Sequence, residues 1–199
     1  MPHIRKTEKE VWTFDELSDT AKDKARDWYR DGLGEIMDFD FLFDDFDTIA
    51  KIFGIEVDQR TFQTRGGDTR SEPSFHWNNL GMGGSASFSG SYRYAKGARK
   101  AIRAHAPQDT ELHRISDELQ EAQRRNFYRL TATIRERGIE VDGGYASNDD
   151  DDIRELLRDY MRWIYRALSA ELEYRYADEQ VDEDIRANEY DFTEEGKPA

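Results

Sequence analysis

Residues 85–92 read Ser-Ala-Ser-Phe-Ser-Gly-Ser-Tyr, so that every second residue is a serine. Successive side chains of a β-strand point to opposite faces, which would place the four serines on one face. The other face would carry Ala86, Phe88, Gly90 and Tyr92. This alternation is typical of an antiparallel strand with one buried face, and it therefore predicts an antiparallel sheet.

Other segments favour strands in the same part of the fold. They are Ile55–Val57, Thr61–Thr64, Phe75–Trp77, Phe127–Ile134 and Ile139–Val141. The glycine-rich residues 78–84 would connect Phe75–Trp77 to the alternating segment, because glycine adopts positive φ at little cost. We expect one sheet to hold Phe75–Trp77, Ser85–Tyr92 and Phe127–Ile134.

Apolar residues at steps of three and four predict helices in the remainder of the chain. The first predicted helix is capped by Thr13 or Ser18 and ended by Gly32 and Gly34, and the second covers residues 38–53 and is ended by Gly54. The third lies between Gly97 and Pro107, and the fourth is capped by Asp109 or Thr110. The longest runs from about Asp152 to Tyr174, and a short helix follows around Val181 and Ile185. The sequence thus predicts an α+β fold. One domain over residues 1–199 would pack a small antiparallel sheet with about five helices, with a glycine-rich β region at about 58–95 and C-terminal helices at about 150–190.

The composition describes an acidic chain with enough apolar residues for a core. Its 199 residues include 29 Lys and Arg against 43 Asp and Glu, a formal net charge of −14, together with 11 Phe, 10 Tyr and 4 Trp. The negative charge argues against direct binding to nucleic acid or to an anionic membrane. Without cysteine, a disulfide scaffold, a zinc ribbon and a cysteine nucleophile are excluded.

Neither a signal peptide nor a membrane span is expected. The opening residues 1–10 contain no apolar core of the kind a signal peptide needs, and no window of the sequence approaches 18 uncharged apolar residues. We therefore expect a cytoplasmic protein.

Two acidic runs are the candidate binding surfaces. In residues 38–47, Asp40, Asp44 and Asp47 would form one carboxylate stripe on a helix, which could imitate phosphates in a basic groove or could be an ordinary solvated face. The run at 148–152 could bind a partner or a cation, or could simply begin a helix. The candidate residues are Asp38, Asp40, Asp44, Asp45, Asp47, Asp149, Asp150, Asp151 and Asp152.

The other polar features favour structural roles. The basic residues Lys96, Arg99, Lys100 and Arg103 could hold a phosphate, but on an acidic chain pairing with its own acids is favoured. The segment from Gly81 to Ala86 matches the G-x-G-x-x-A pattern of dinucleotide-binding sites. The residues after it predict a strand, whereas such a site requires a helix there. His76 is a lone candidate for acid–base work, and no histidine pair has metal-ligand spacing. We expect no metal and no organic cofactor.

Several stretches resemble a family of phage and prophage proteins. They are Val11–Ser18 with Ala25–Tyr29, Phe88–Ala98, Glu111–Ile115, Arg124–Thr133 and Ala187–Gly196. Some members of that family carry a label as the antitoxin of a toxin–antitoxin stability system. The resemblance implies a mobile-element origin and a cytosolic accessory role, and it transfers no catalytic or binding residue.

Three classes of function stay open. The first is a non-enzymatic inhibitor that binds a host or cognate protein through that protein's basic surface. Its target would be a nucleic-acid-handling defence component (anti-CRISPR-like, with DNA mimicry as one route) or a toxin that it neutralises as an antitoxin. The second is a small enzyme that uses carboxylates and a histidine, and the third is a structural protein of a phage particle. We expect the first, and therefore no enzymatic activity.

Overall fold

A computed structural model describes residues 9–36, 39–64, 66–135, 138–144 and 147–199. Helices and antiparallel strands occur together, which confirms the α+β class. The chain divides into two compact units, one formed by residues 39–170 and the other by both chain ends, residues 1–38 and 171–199. That residues 1–199 form a single domain stays a prediction.

The unit formed by the chain ends has a small core of its own. Its elements are strand β1 (Trp12–Thr13), a 3-10 turn (Phe14–Glu16), helix α1 (Asp19–Ile36), helix α6 (Asp178–Ala187), strand β10 (Asp191–Phe192) and the last turns of helix α5 (Ser147–Tyr176). Strand β1 pairs with β10 in antiparallel register, Trp12 opposite Phe192. The buried side chains are Phe14, Leu17, Ala21, Ala25, Val181, Ile185 and Phe192.

Two predicted caps occur in succession at the start of this unit. The Glu16 carboxylate accepts hydrogen bonds from the backbone N–H of Thr13 at 2.8 Å and from its hydroxyl at 2.9 Å. The Ser18 hydroxyl then accepts from the Ala21 N–H at 3.3 Å as α1 begins. The predicted stop at Gly32 and Gly34 is wrong, because both residues stay helical and α1 continues to Ile36. A glycine ends a helix efficiently only where it takes the left-handed conformation.

The larger unit contains a four-stranded antiparallel sheet. Its strands, in spatial order, are β2 (Ile55–Val57), β7 (Gly90–Arg93), β8 (Thr131–Arg135) and β9 (Gly138–Asp142). Tyr92 lies opposite Ile55 on one side and Ala132 on the other. Two hairpins accompany the sheet: β3 (Gln59–Gln63) with β4 (Thr69–Pro73), and β5 (Phe75–Asn78) with β6 (Ser85–Phe88).

The alternating segment 85–92 forms two strands rather than one. Ser85–Phe88 pairs with β5, whereas Gly90–Arg93 pairs with β2 and β8 in a different sheet, so the predicted single sheet is wrong. The break follows from Gly90, whose φ is +156° and where a Cβ atom would lie 2.1 Å from the Glu56 carbonyl oxygen. The side-chain alternation is correct, because Ala86, Phe88 and Tyr92 are buried.

The strand predicted over Phe127–Ile134 begins only at Thr131. Phe127 and Tyr128 have φ values of +54° and +61°, and they form a turn in which the Tyr128 N–H donates to the Gln123 carbonyl at 2.7 Å. Two successive left-handed residues cannot continue a strand.

The helices of the larger unit match the sequence closely. They are α2 (Asp40–Phe53), α3 (Ala98–His105), α4 (Thr110–Arg125) and residues 147–170 of α5. Gly54 ends α2 with φ +86°, and Asp109 caps α4 by accepting from the Glu111 and Leu112 N–H groups. Helix α5 is the longest in the described part of the chain, as predicted, and it starts earlier than expected at Ser147.

Tyr160 of α5 lies at the centre of the larger core. It is fully buried, and its ring packs edge-on against Phe53 of α2 and Phe88 of β6, with centroids 5.4 and 5.9 Å away. Its hydroxyl donates to the Phe46 carbonyl oxygen of α2 at 2.5 Å. The aromatic contacts and this hydrogen bond attach α2 to α5.

Arg26 and Asp182 supply a test of the smaller unit. Arg26 donates twice to the Asp182 carboxylate, through Nε at 2.7 Å and Nη2 at 2.8 Å, and these bonds hold the pKa of Asp182 below its ordinary value. Arg26→Leu and Asp182→Asn should each destabilise the protein by about 1–3 kcal/mol at pH 7, because the hydrogen bonds to a charged group are lost.

A carboxylate whose pKa is lowered on folding stabilises the protein above its unfolded pKa, about 3.9, and this stability is lost as the pH falls through the folded value. The cost of Arg26→Leu should therefore shrink from pH 7 to pH 3 in urea unfolding. An equal cost at both pH values would show that Arg26 acts only through packing.

Candidate functional site

Helix α2 has one buried and one outward face. Phe46, Ile49, Ala50 and Phe53 are buried in the core. The opposite side carries Asp40, Phe41, Asp44, Asp45 and Thr48, all exposed, and we call these five residues the outward face of α2. The predicted amphipathic helix therefore exists, and its buried face contacts Tyr160 of α5.

The acids of the first run have different surroundings. Asp40 and Asp44 are exposed, as the stripe requires, and Asp38 lies outside the described residues. Asp45 is exposed and its Oδ1 lies 2.7 Å from His105 Nε2 of α3. These positions leave Asp40, Asp44 and Asp45 as the acidic part of the outward face.

Asp47 does not extend the stripe, which corrects the sequence prediction. It is only 9% exposed, and its Oδ2 lies 2.5 Å from Lys51 Nζ. Its Oδ1 is buried and accepts no hydrogen bond within the described residues. One helical turn beyond Asp44, the helix thus carries an internal ion pair rather than a free negative charge.

Phe41 is the residue of this face that the charge pattern did not single out. Its side chain is 55% exposed although it is one of the largest apolar side chains in the protein. Residues three and four positions apart are neighbours on a helix surface, so Phe41 lies beside Asp44 and Asp45. The signal was present in the sequence: at 100° per residue, Phe41 falls among the polar residues rather than with Phe39, Phe43 and Phe46.

The second acidic run pairs with the protein's own arginines. The run lies in the first turns of α5, as the interpretation of a helix start predicted. The side chain of Asp149 lies outside the described residues. Asp151 pairs with Arg154 and Asp152 with Arg125, both at 2.5 Å. Asp150 is half-buried. Two of these four acids are therefore neutralised locally.

Arginines neutralise further acids along α4 and α5. Burial raises the pKa of Asp159, but hydrogen bonds from Arg114 at 2.8 Å and Arg162 at 2.5 Å together lower it below its ordinary value. The Glu155 carboxylate accepts from Arg162 at 2.6 Å. The outward face of α2 is the better candidate because it carries the exposed Phe41 ring in addition to carboxylates.

The basic cluster divides into paired and exposed residues. Arg99 and Arg103 both bind the Asp117 carboxylate, at 2.6 and 2.7 Å, and they lower the pKa of Asp117. Lys96 and Lys100 are exposed and form no ion pair with any described residue. The expected pairing with the protein's own acids thus holds for the two arginines.

The three histidines that the structure describes lie in separate surroundings. His105 lies beside Asp45, the His113 Nε2 lies 2.8 Å from the Ala106 carbonyl oxygen, and the His76 Nε2 lies 3.1 Å from the Ser74 hydroxyl. Within the described residues, no group of three or more histidine and acidic side chains is placed to hold a metal ion. Nor is any described helix long and apolar enough to cross a bilayer.

The glycine-rich segment forms a hairpin connection, as predicted, and helix α5 holds it in place. The Tyr165 hydroxyl accepts from the Gly84 N–H and donates to the Asn79 carbonyl, both at 2.8 Å. Strands β5 and β6 flank the loop, so the strand–turn–helix order of a dinucleotide site does not occur here.

The fold and its surface thus define an acidic α+β protein whose larger unit carries an exposed helix face with one aromatic and several carboxylate side chains. The model of a family described as Domain of unknown function (DUF8835) matches residues 39–178, and the chain belongs to this family. The match begins at the first residue of the larger unit and includes all of it. Neither a curated protein nor a solved structure matches the chain.

Tyr165→Phe tests the attachment of the loop. The substitution removes both hydrogen bonds, and we expect a loss of about 1–2 kcal/mol in unfolding free energy. Amide exchange should accelerate at Gly84 more than at Phe88 in the adjoining strand. Tyr174→Phe, at an exposed position of the same helix, is the matched control. Unchanged protection of Gly84 would contradict the role assigned to the hydroxyl.

Proposed function

We propose that this protein is a non-enzymatic binding protein that holds a basic protein partner on the outward face of α2. The observation that carries the proposal is the exposed Phe41 ring, which follows Asp40 in the sequence and lies beside Asp44 and Asp45 on the helix surface. Partner interfaces commonly combine an aromatic anchor with a polar, charged rim. A phenylalanine exposed over more than half of its surface among carboxylates fits that pattern.

Long-range electrostatics favour a cationic partner. A net charge of −14 attracts a basic protein and accelerates its association, while the local carboxylates help to orient it. The binding energy would come mainly from burying Phe41, since exposed ion pairs contribute at most about 1 kcal/mol each. We therefore expect the partner to offer an apolar pocket bordered by lysine or arginine.

The shortened stripe favours this interface over imitation of DNA. A phosphate mimic needs charges repeated along a row, and here the row stops at Asp44 because Asp47 is buried against Lys51. Two carboxylates spaced by four residues span about 6 Å of helix axis. An aromatic anchor with a short acidic rim accounts for the face with fewer assumptions.

The identity of the partner stays a prediction, as do the phage-family resemblance, the cytosolic location and the absence of activity. An inhibitor of a nucleic-acid-handling defence component and an antitoxin both need a protein partner with a basic surface, and the proposal accommodates both. None of the contacts described above supports the hypothesis of a small enzyme or that of a structural protein of a phage particle.

The test is a quantitative affinity purification from a lysate of the cells that produce the protein. We expect a basic protein that co-purifies with the wild type at 50 mM salt and dissociates at 500 mM salt, because screening weakens the attraction. Asp40→Asn with Asp44→Asn, and separately Phe41→Ser, should reduce its recovery at least tenfold. Exchanging exposed aspartates for asparagine shifts stability by less than about 0.5 kcal/mol, and circular dichroism checks that Phe41→Ser stays folded.

The matched control is Glu56→Gln with Asp68→Asn, two exposed acids outside α2 that change the net charge by the same amount. The control variant should retain the partner. The proposal would be contradicted if both α2 variants recovered as much of the partner as the wild type does. It would also be contradicted if the control variant lost as much of the partner as the α2 variants do.

A further inference from the structure

Helices α2 and α3 lie side by side in antiparallel orientation. His105, the last residue of α3, pairs with Asp45 in the first half of α2. At the other end, the Arg93 N–H donates to the Gly54 carbonyl at 2.9 Å, immediately after α2 and just before α3. The start of each helix is thus adjacent to the end of the other.

This arrangement separates the charges of the helix pair into two ends. The acidic end holds Asp40 and Asp44 at the start of α2. The basic end holds Lys96 and Lys100 at the start of α3, whereas Lys51, near the end of α2, is paired with Asp47 and adds no net charge. The side chains of Asp40, Asp44, Lys96 and Lys100 are exposed. About 10–15 Å separate Asp44 from the end of α2, comparable to a Debye length, so the two ends do not neutralise each other in solution.

We propose that a second copy of this chain docks on the α2–α3 pair through a two-fold axis. A two-fold interface brings the same patch of both copies together, and a patch that is acidic at one end and basic at the other is complementary to itself when turned end over end. Asp40 and Asp44 then face the second copy's Lys96 and Lys100, and the reverse contact occurs at the other end.

The surface between the charged ends suits a close approach of helices. Ala101 and Ala104 of α3 are exposed and small. Phe41 would lie among the second copy's lysines, where a ring and an ammonium group attract each other. The dimer does not require the proposed basic partner, although both interactions use Asp40 and Asp44.

The area of the patch sets the strength of the dimer. Two adjacent helices about 21 and 12 Å long, with axes 8–10 Å apart, present about 300–400 Å². Stable interfaces bury about 800 Å² on each partner. The dimer should therefore be weak, form at tens of micromolar protein and depend on salt.

Sedimentation velocity with charge-reversed variants tests the proposal. The wild type at 100 µM should be dimeric at 50 mM salt and monomeric at 500 mM salt. Asp40→Lys with Asp44→Lys should be monomeric, and so should Lys96→Glu with Lys100→Glu. An equimolar mixture of the two variants should form a one-to-one heterodimer, because every contact between them is again attractive.

Lys9→Glu with Lys24→Glu, exposed positions in the smaller unit, is the charge-matched control and should dimerise like the wild type. A wild type that stays monomeric at 50 mM salt would overturn the proposal, and so would variants that fail to recombine while retaining native circular dichroism. Lys96→Glu with Lys100→Glu leaves the outward face of α2 intact, so it should still recover the basic partner. Failure of the dimer is thereby distinguished from failure of the proposed function.

Discussion

The hydrogen bond from the Tyr160 hydroxyl to the Phe46 carbonyl is the interaction on which the larger unit depends. A buried hydroxyl without an acceptor would cost several kcal/mol, so helix α2 must present a carbonyl oxygen at that point. Burial raises the pKa of Tyr160 well above its ordinary value, which keeps the phenol neutral and able to donate. Phe53 and Phe88 pack around the same ring.

The surface chemistry follows from this buried contact. With Phe46 and Phe53 held against α5, Asp40, Phe41 and Asp44 have to point outward. Asp47 falls at the border between the two faces, where only an ion pair with Lys51 makes its burial tolerable. The orientation of the candidate binding surface thus depends on the packing of the opposite face of α2, in which Tyr160 takes part.

Local signals predicted much of the fold correctly. The apolar periodicity placed α2 and α5, the glycine after α2 marked its end, and Asp109 marked the start of α4. The errors arose where distant contacts overrode a local pattern. The alternation at 85–92 continues past Ser89, but the close approach of the Glu56 carbonyl at Gly90 divides it between two sheets. No spacing within the segment could indicate that neighbour.

The same distinction applies to the charged residues. Sequence spacing placed Asp40 and Asp44 on one helix face correctly, but it could not show that Asp47 would be buried or that Asp152 would find Arg125 on another helix. A net charge of −14 is therefore a poor guide to where free carboxylates lie. Most acids described on α4 and α5 have an arginine beside them, whereas the outward face of α2 combines its carboxylates with the exposed Phe41 ring.

Site-specific photocrosslinking in cells tests most directly whether that face is a binding surface. A photoreactive phenylalanine analogue would replace Phe41 in one variant and Phe127 in another, since Phe127 is an even more exposed phenylalanine, at 72%, in the same unit. The account predicts a discrete crosslinked adduct from position 41, to a basic protein or to a second copy, and none from position 127. Adducts of equal yield from both positions, or none from position 41, would contradict it.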